Sequence, residues 1–143
     1  VFVGRMNRDT KINKAFYEKQ SYHNIHFTGF LPDEQRDWLL TKTAAYVFPS
    51  LMEGFGLPPL EAMAYGTPVV SSNVSCMPEI LGDAAEYFDP LDTDDMAAAI
   101  ERVITNPKRR RALIKKGTAQ VAKYSWRRMA EETHAVYMKV LQP

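Results

Sequence analysis

The chain carries one cysteine, Cys76, among 143 residues. A single thiol excludes an intrachain disulfide and a cysteine-based metal cluster, and it fits a reduced cytoplasmic setting. His23, His26 and His134 lack metal-ligand spacing; His26 is expected in a strand and His134 on a helix surface. No set of carboxylates has the spacing of a Mg²⁺ site, so no metal and no cofactor are expected. Charge of one sign is also missing. The 18 Lys and Arg against 17 Asp and Glu leave a net charge of +1, which supplies no general attraction to nucleic acid. Long apolar runs are absent too. The longest uncharged stretch, Ala62 to Pro78, is broken by Gly66, Pro68 and Asn73 and does not read as membrane-spanning. Neither a signal-peptide pattern nor a repeat is visible. The chain begins inside an apolar strand without an initiator Met, as an excerpt of a longer polypeptide would.

What is present is the composition of a soluble globular protein, 45% hydrophobic and 24% charged, long enough for one domain over residues 1–143. Short apolar strands are expected at Val1 to Gly4, Asn24 to Thr28, Ala45 to Phe48, Pro68 to Ser71 and Ala85 to Phe88. They alternate with helices, around Lys11 to Gln20 and over Pro32 to Thr41. That alternation predicts an α/β fold with a Rossmann-like parallel sheet of about five strands. After Phe88 the pattern is all helical: Thr93 to Thr105 with Met96, Ile100, Val103 and Ile104 on one face, then Pro107 to Lys123 with Leu113, Ile114, Gly117 and Val121 inward. Ser125 caps a last helix whose stripe is Trp126, Met129, Ala130, Thr133, Tyr137 and Val140.

The most informative stretch runs from Pro49 to Met63. Glu53 and Glu61 are separated by seven residues, with Gly54, Gly56, Pro58 and Pro59 between them. Glycines let a ligand approach the main chain, and prolines suit a first helical turn, where a missing N–H costs nothing. Leu60 to Tyr65 continues as helix, with Gly66 just past its end. Glu53 therefore lies on a loop and Glu61 early in a helix, where both can face one crevice at the carboxyl end of a strand. The helix N-terminus attracts phosphate, and the amides of Phe55, Gly56 and Leu57 are candidates for that contact. The two carboxylates suit hydroxyl groups. Amides for phosphate and carboxylates for hydroxyls together suggest a nucleotide bearing a sugar, although a carboxylate near a helix start also suits the dipole alone.

These residues resemble the signature of retaining glycosyltransferase family 4 of the glycosyltransferase group 1 enzymes, which have the GT-B fold. The resemblance rests on Pro49-Ser50, Glu53 to Leu57, Glu61-Ala62-Met63, Gly66 and Pro68-Val69-Val70. It continues through Phe27-Thr28-Gly29, Pro78-Glu79, Gly82 to Ala85, Asp89-Pro90 and Tyr124-Ser125-Trp126, and so covers nearly the whole chain. It implies the C-terminal, donor-binding half of a transferase that moves a hexose, mannose among the candidates, from a nucleotide-diphosphate sugar in polysaccharide biosynthesis. Glu53 would contact the sugar near the reacting carbon as the catalytic residue. Gly54, Phe55, Gly56 and Leu57 would hold the phosphate next to the sugar, and Glu61 the ribose hydroxyls. Gly29, Phe30 and Leu31 would border the base, and Ser50 would shape the phosphate pocket.

The family's donor half opens with one more strand ending in Gly-Arg, with a Lys shortly after. Val1 to Arg5 looks like that opening, but only one helix fits between Gly4 and Asn24, so Val1 to Gly4 better matches the following strand. Arg5 and Lys11 then read as surface residues. The chain would lack the first strand and helix, the cation pair and the N-terminal acceptor domain. One oriented donor at a developing charge is worth about 3–4 kcal/mol, whereas a helix dipole is worth about 0.3–1 kcal/mol. The isolated chain is therefore expected to be a weak donor binder and inactive.

Two other readings share these residues. A GT-B-like nucleotide-sugar epimerase would need acid/base groups and lacks the Glu-Gly-Phe-Gly pattern. A non-catalytic module would use the basic helices, since half of all Lys and Arg lie between Lys108 and Arg128, on an anionic surface such as the inner face of a membrane. A solvated helix face balanced by acidic residues from Glu79 to Asp95 accounts for the same pattern.

Overall fold

The computed structural model describes residues 1–5, 7–20 and 22–141. It has an α/β fold whose five strands pair in parallel as two sets, one in each of two compact units, Val1–Lys42 and Thr43–Pro143. The break in strand pairing thus coincides with the boundary between the units.

In the first unit β1 (Phe2–Val3) pairs with β2 (Phe27–Gly29), and the rings of Phe2 and Phe27 stack at 4.8 Å. The strand expected over Asn24 to Thr28 is shorter, because only two residues of β1 pair with it. His26 falls just outside β2, although its carbonyl accepts from the Phe2 N–H at 2.7 Å. Helix α1 (Arg8–Lys19) is capped by Asn7, whose Oδ1 accepts from the Thr10 N–H at 2.7 Å. Helix α2 (Asp33–Lys42) begins with Asp33 and Glu34, charges that suit its N-terminus.

The second unit is a three-stranded sheet in the order β3 (Tyr46–Phe48), β4 (Val69–Ser72), β5 (Ala85–Phe88). All four residues of the central strand β4 are buried. The crossovers are α3 (Leu57–Ala64), then a short helix α4 (Met77–Leu81) and a 3₁₀ turn at Gly82–Ala84. Helix α3 ends as its sequence predicts. Gly66 has φ of +74°, its N–H donates to the Met63 carbonyl, and the Thr67 N–H donates to that of Ala62, each at 3.0 Å.

Two long helices, α5 (Thr93–Thr105) and α6 (Pro107–Val121), build the core with one face of the sheet: Val70, Phe88, Ala99, Val103 and Leu113, bordered by Ala45, Val47, Met96 and Ile100. Each large apolar side chain buried there contributes about 1.5–3 kcal/mol. Ile104, expected inward, is 47% exposed. The buried face of α5 centres on Ala99 and Val103, and one further residue turns about 100° away from it. On α6, Leu113 and Gly117 are buried as expected, and so is Gln120. A Cβ at Gly117 would lie 3.0 Å from Met63 Cγ, so glycine sets how closely α6 approaches α3. Helix α7 (Trp126–Leu141) starts at Ser125, whose Oγ accepts from the Arg128 N–H at 3.0 Å, and buries none of its residues.

Glu86 is the buried carboxylate of this unit. Val70 and Glu86 are register partners, so Glu86 points to the same face as the core. There Arg102 Nε donates to Oε1 and Arg109 Nε to Oε2, both at 2.7 Å. Burial pushes the Glu86 carboxyl up, but the hydrogen bonds and charges of Arg102 and Arg109 outweigh it and hold the group below its ordinary value. A carboxyl depressed by folding adds stability above its unfolded pKa, and that stability is lost as pH falls through the folded pKa. The stability of the native chain, measured by chemical denaturation, should therefore fall below about pH 4, near the unfolded Glu value. Arg102→Met is expected to cost about 1–2 kcal/mol at neutral pH, the worth of one hydrogen bond to a charged group, and to flatten that acid dependence.

Candidate functional site

The carboxyl ends of β3 and β4 lie side by side, because Phe48 and Ser71 are register partners. Two loops leave this edge, residues 49–56 after β3 and residues 73–76 after β4. Glu53, on the first loop, is half-buried, and Ser50 Oγ donates to its Oε1 at 2.8 Å. Ser72 Oγ in turn donates to the Ser50 carbonyl at 2.6 Å. The main chain of Glu53 is gripped from the second loop. Its N–H donates to Ser75 Oγ at 3.2 Å, and its carbonyl accepts from Ser75 Oγ at 3.0 Å and from Cys76 Sγ at 3.3 Å.

Gly56 follows as the N-cap of α3, with φ of +98° and no side-chain cap. It is buried, and a Cβ there would clash with Met77 Cε. Pro58 and Pro59 remove two donors from the first turn, so the N–H groups offered at this helix start come from the residues just before them. Among the described residues the amides of Phe55, Gly56 and Leu57 make no hydrogen bond within the chain. Phe55 is held from the side by Tyr124, ring to ring at 5.6 Å and nearly perpendicular, and Tyr124 Oη donates to the Ile80 carbonyl at 3.0 Å.

Glu61 lies on the exposed side of α3, whose Leu60, Ala62 and Met63 face the interior. Tyr46 on β3 feels both glutamates. Burial first, then the charges of Glu61 and Glu53, push its hydroxyl above the ordinary tyrosine value. In the chain between the two carboxylates lie the three unbonded amides of Phe55, Gly56 and Leu57.

The remaining predicted residues are placed as follows. Gly54 is exposed, and a Cβ there would meet nothing within 4 Å. Leu57 opens α3 and is 43% exposed. Gly29 ends β2 with φ of +72°; Phe30 is exposed and Leu31 half-buried, all three in the first unit. Arg5 and Lys11 are exposed residues of that unit, Lys11 on α1. Sequence reasoning missed Ser72, Ser75 and Cys76. The only local signal for them was a polar run from Ser71 to Cys76 after a strand.

Two concavities lie on other residues. One of about 320 Å³ is lined by Glu86, Arg102, Thr105, Asn106 and Arg109, and one of about 240 Å³ by Lys14, Tyr17, Glu18, Tyr22, Ile25, His26 and Phe27. Much of the late basic charge is engaged inside the chain: Arg109 with Glu86, Lys116 with Asp83, Arg127 with Glu131 and Arg128 with Glu132, each at 2.7–2.8 Å. No described helix is long and apolar enough to cross a membrane. Among the described residues no group of three or more His, Cys, Asp or Glu is placed to hold a metal ion.

Comparison with known proteins gives a consistent neighbourhood. A family model described as "Glycosyl transferases group 1" matches residues 1–120. The O-antigen chain mannosyltransferase B of Escherichia coli is 40% identical over 113 residues, 79% of this chain and 30% of that protein. The MMP alpha-(1->4)-mannosyltransferase of Mycolicibacterium hassiacum is 36% identical over 121 residues, 82% of this chain and 29% of that protein. Among solved structures, the sucrose-phosphate synthase of Thermosynechococcus elongatus superposes with a TM-score of 0.85 at 25% identity, covering 96% of this chain and 37% of that one. WaaG, a glycosyltransferase involved in lipopolysaccharide biosynthesis, has the same fold, with a TM-score of 0.75 at 20% identity over 94% of this chain and 36% of that one. The chain therefore spans about a third of the length of these four relatives.

Proposed function

Because this chain belongs to the glycosyl transferases group 1 family, we propose that it is the donor-binding half of a retaining, family 4 glycosyltransferase of the GT-B fold. It takes a nucleotide-diphosphate sugar, and the acceptor is bound by an N-terminal half outside this chain. The named mannosyltransferases among its relatives favour a mannosyl donor. The observation that carries this reading is the run of three unbonded amides at the start of α3, following a carboxylate, Glu53, that Ser50 holds by a hydrogen bond and preceding a second, Glu61, on the helix itself.

On this reading Phe55, Gly56 and Leu57 hold the phosphate next to the sugar through their N–H groups, close to the positive end of α3. Gly54, without a side chain, leaves that main chain open. Glu61 accepts hydrogen bonds from the ribose hydroxyls. Glu53 faces the sugar, where positive charge develops as the bond to phosphate breaks. Its role is electrostatic support and positioning, and Ser50 orients its carboxylate. No metal or cofactor enters the scheme.

The test is a thermal-shift screen of the chain against UDP-, GDP- and ADP-sugars, GDP-mannose included. One base series should raise the melting temperature, because a ligand at a hundred times its Kd adds about 2.7 kcal/mol. No shift with any nucleotide sugar, together with salt-sensitive binding to polyanions that survives Glu53→Gln, would replace this reading with the anionic-surface module.

A further inference from the structure

We propose that Ser75 is a positioning residue for Glu53, and that the segment from Ser72 to Met77 is the platform on which the donor loop is set. The inference rests on the role given above to Glu53. Ser75 is the one non-glycine residue with positive φ, +58°, among the described residues. A side chain in that region is strained, and strain of this kind persists where the surroundings hold it in place. Ser75 Oγ meets both polar groups of the Glu53 main chain, accepting from its N–H at 3.2 Å and donating to its carbonyl at 3.0 Å.

The neighbours of Ser75 act on the same loop. Ser72 Oγ donates to the Ser50 carbonyl, and the Ser50 hydroxyl donates to Glu53 Oε1. Cys76 Sγ donates to the Glu53 carbonyl. Met77, fully buried, fills the space that a side chain at Gly56 would need. Main chain, carboxylate and glycine turn are thus all located by six consecutive residues that begin with the last residue of β4. Among them Ser75 alone grips Glu53 by two bonds through one atom. A carboxylate on a loop otherwise open to water loses its direction easily, and a fixed main chain removes that freedom before the ligand arrives.

The two substitutions that test this remove the same oxygen differently. Ser75→Gly relieves the strain of positive φ, which offsets the lost hydrogen bonds, so its melting temperature should stay close to that of the native chain. Ser75→Ala keeps the Cβ. In both, exchange of the Glu53 amide proton, followed by NMR, should speed up about tenfold or more. Dissociation constants of GDP-mannose, UDP-glucose and ADP-glucose, measured by chemical-shift titration, should weaken about three- to tenfold for whichever of these probes the native chain binds. The deciding readout is a double-mutant cycle with Glu53→Gln. If Ser75 acts through Glu53, Ser75→Gly weakens the probe in the native background and adds little when Glu53 is already Gln. An equal loss in both backgrounds overturns the proposal. So does unchanged binding in both Ser75 variants while Glu53→Gln is weakened. Native-like binding by Glu53→Gln itself would overturn the role of Glu53, and the positioning role with it.

Discussion

Glu53→Gln is expected to lower kcat/KM of the complete transferase by about 10²–10³-fold while leaving the melting temperature of this chain unchanged. The magnitude is that of removing one preorganised polar group at a developing charge, about 3–4 kcal/mol. The substitution keeps the size of the side chain and an oxygen that can accept from Ser50 Oγ, so the loop retains its hydrogen bond and loses only the charge. Glu61→Ala should behave differently. Glu61 stands on an exposed helix face, and on the proposed reading it accepts from hydroxyls remote from the reacting carbon, so its loss should weaken donor affinity about tenfold, one hydrogen bond to a charged group, with kcat nearly preserved. Steady-state kinetics of the two variants separates these roles. Equal loss of kcat in both would contradict the assignment.

Gly56→Ala is expected to destabilise the chain by about 2–5 kcal/mol. The left-handed φ of +98° costs an L-residue about 1–2 kcal/mol, and forcing a methyl against Met77 adds about 1–3 kcal/mol. Met77 Cε is the end of a flexible side chain, but that side chain is fully buried and its retreat would disturb the packing around it. For a chain of this size the fall in melting temperature is roughly 10 °C. Gly54→Ala, two residues away, is the control. A Cβ there meets nothing within 4 Å, and the change should stay within about 0.5 kcal/mol. Similar thermal melts for the two variants would mean that the turn is not set as described. A Met77→Ala substitution in the Gly56→Ala background should recover part of the steric term and none of the backbone term.

Where a local signal was complete, the sequence was enough. β5 occupies Ala85–Phe88 and α5 occupies Thr93–Thr105 as expected, because an apolar strand and a capped amphipathic helix are each defined by their own residues. The end of α3 was legible in Gly66 for the same reason. Its start was legible in Pro58 and Pro59, which fall in the first turn as expected; the helix opens one residue earlier, at Leu57, behind Gly56. Helix α4 was missed altogether, since five residues containing a proline carry no periodicity. Gln120 is buried only because its Nε2 donates to the Ile80 carbonyl at 2.6 Å, a partner forty positions away.

The candidate site divides in the same way. Glu53, Glu61 and the glycines between them stand out as residue types in an unusual order. The serines beneath them do not, because a polar loop after a strand is ordinary until register brings β3 and β4 together. Tyr46 was seen only as part of an apolar strand. Its hydroxyl is raised by burial and by both glutamates, and the packing of α3 against β3 is not legible in either segment alone.

The most direct measurement is an amide-resolved NMR titration of the chain with nucleotide-diphosphate sugars, GDP-mannose first, against the corresponding free sugars. The account predicts that the resonances of Phe55, Gly56 and Leu57 move together and saturably with the nucleotide sugar alone, and that Glu61→Ala weakens the response. Saturable binding that leaves those three amides still, and instead moves residues around Arg102 and Arg109, would contradict it.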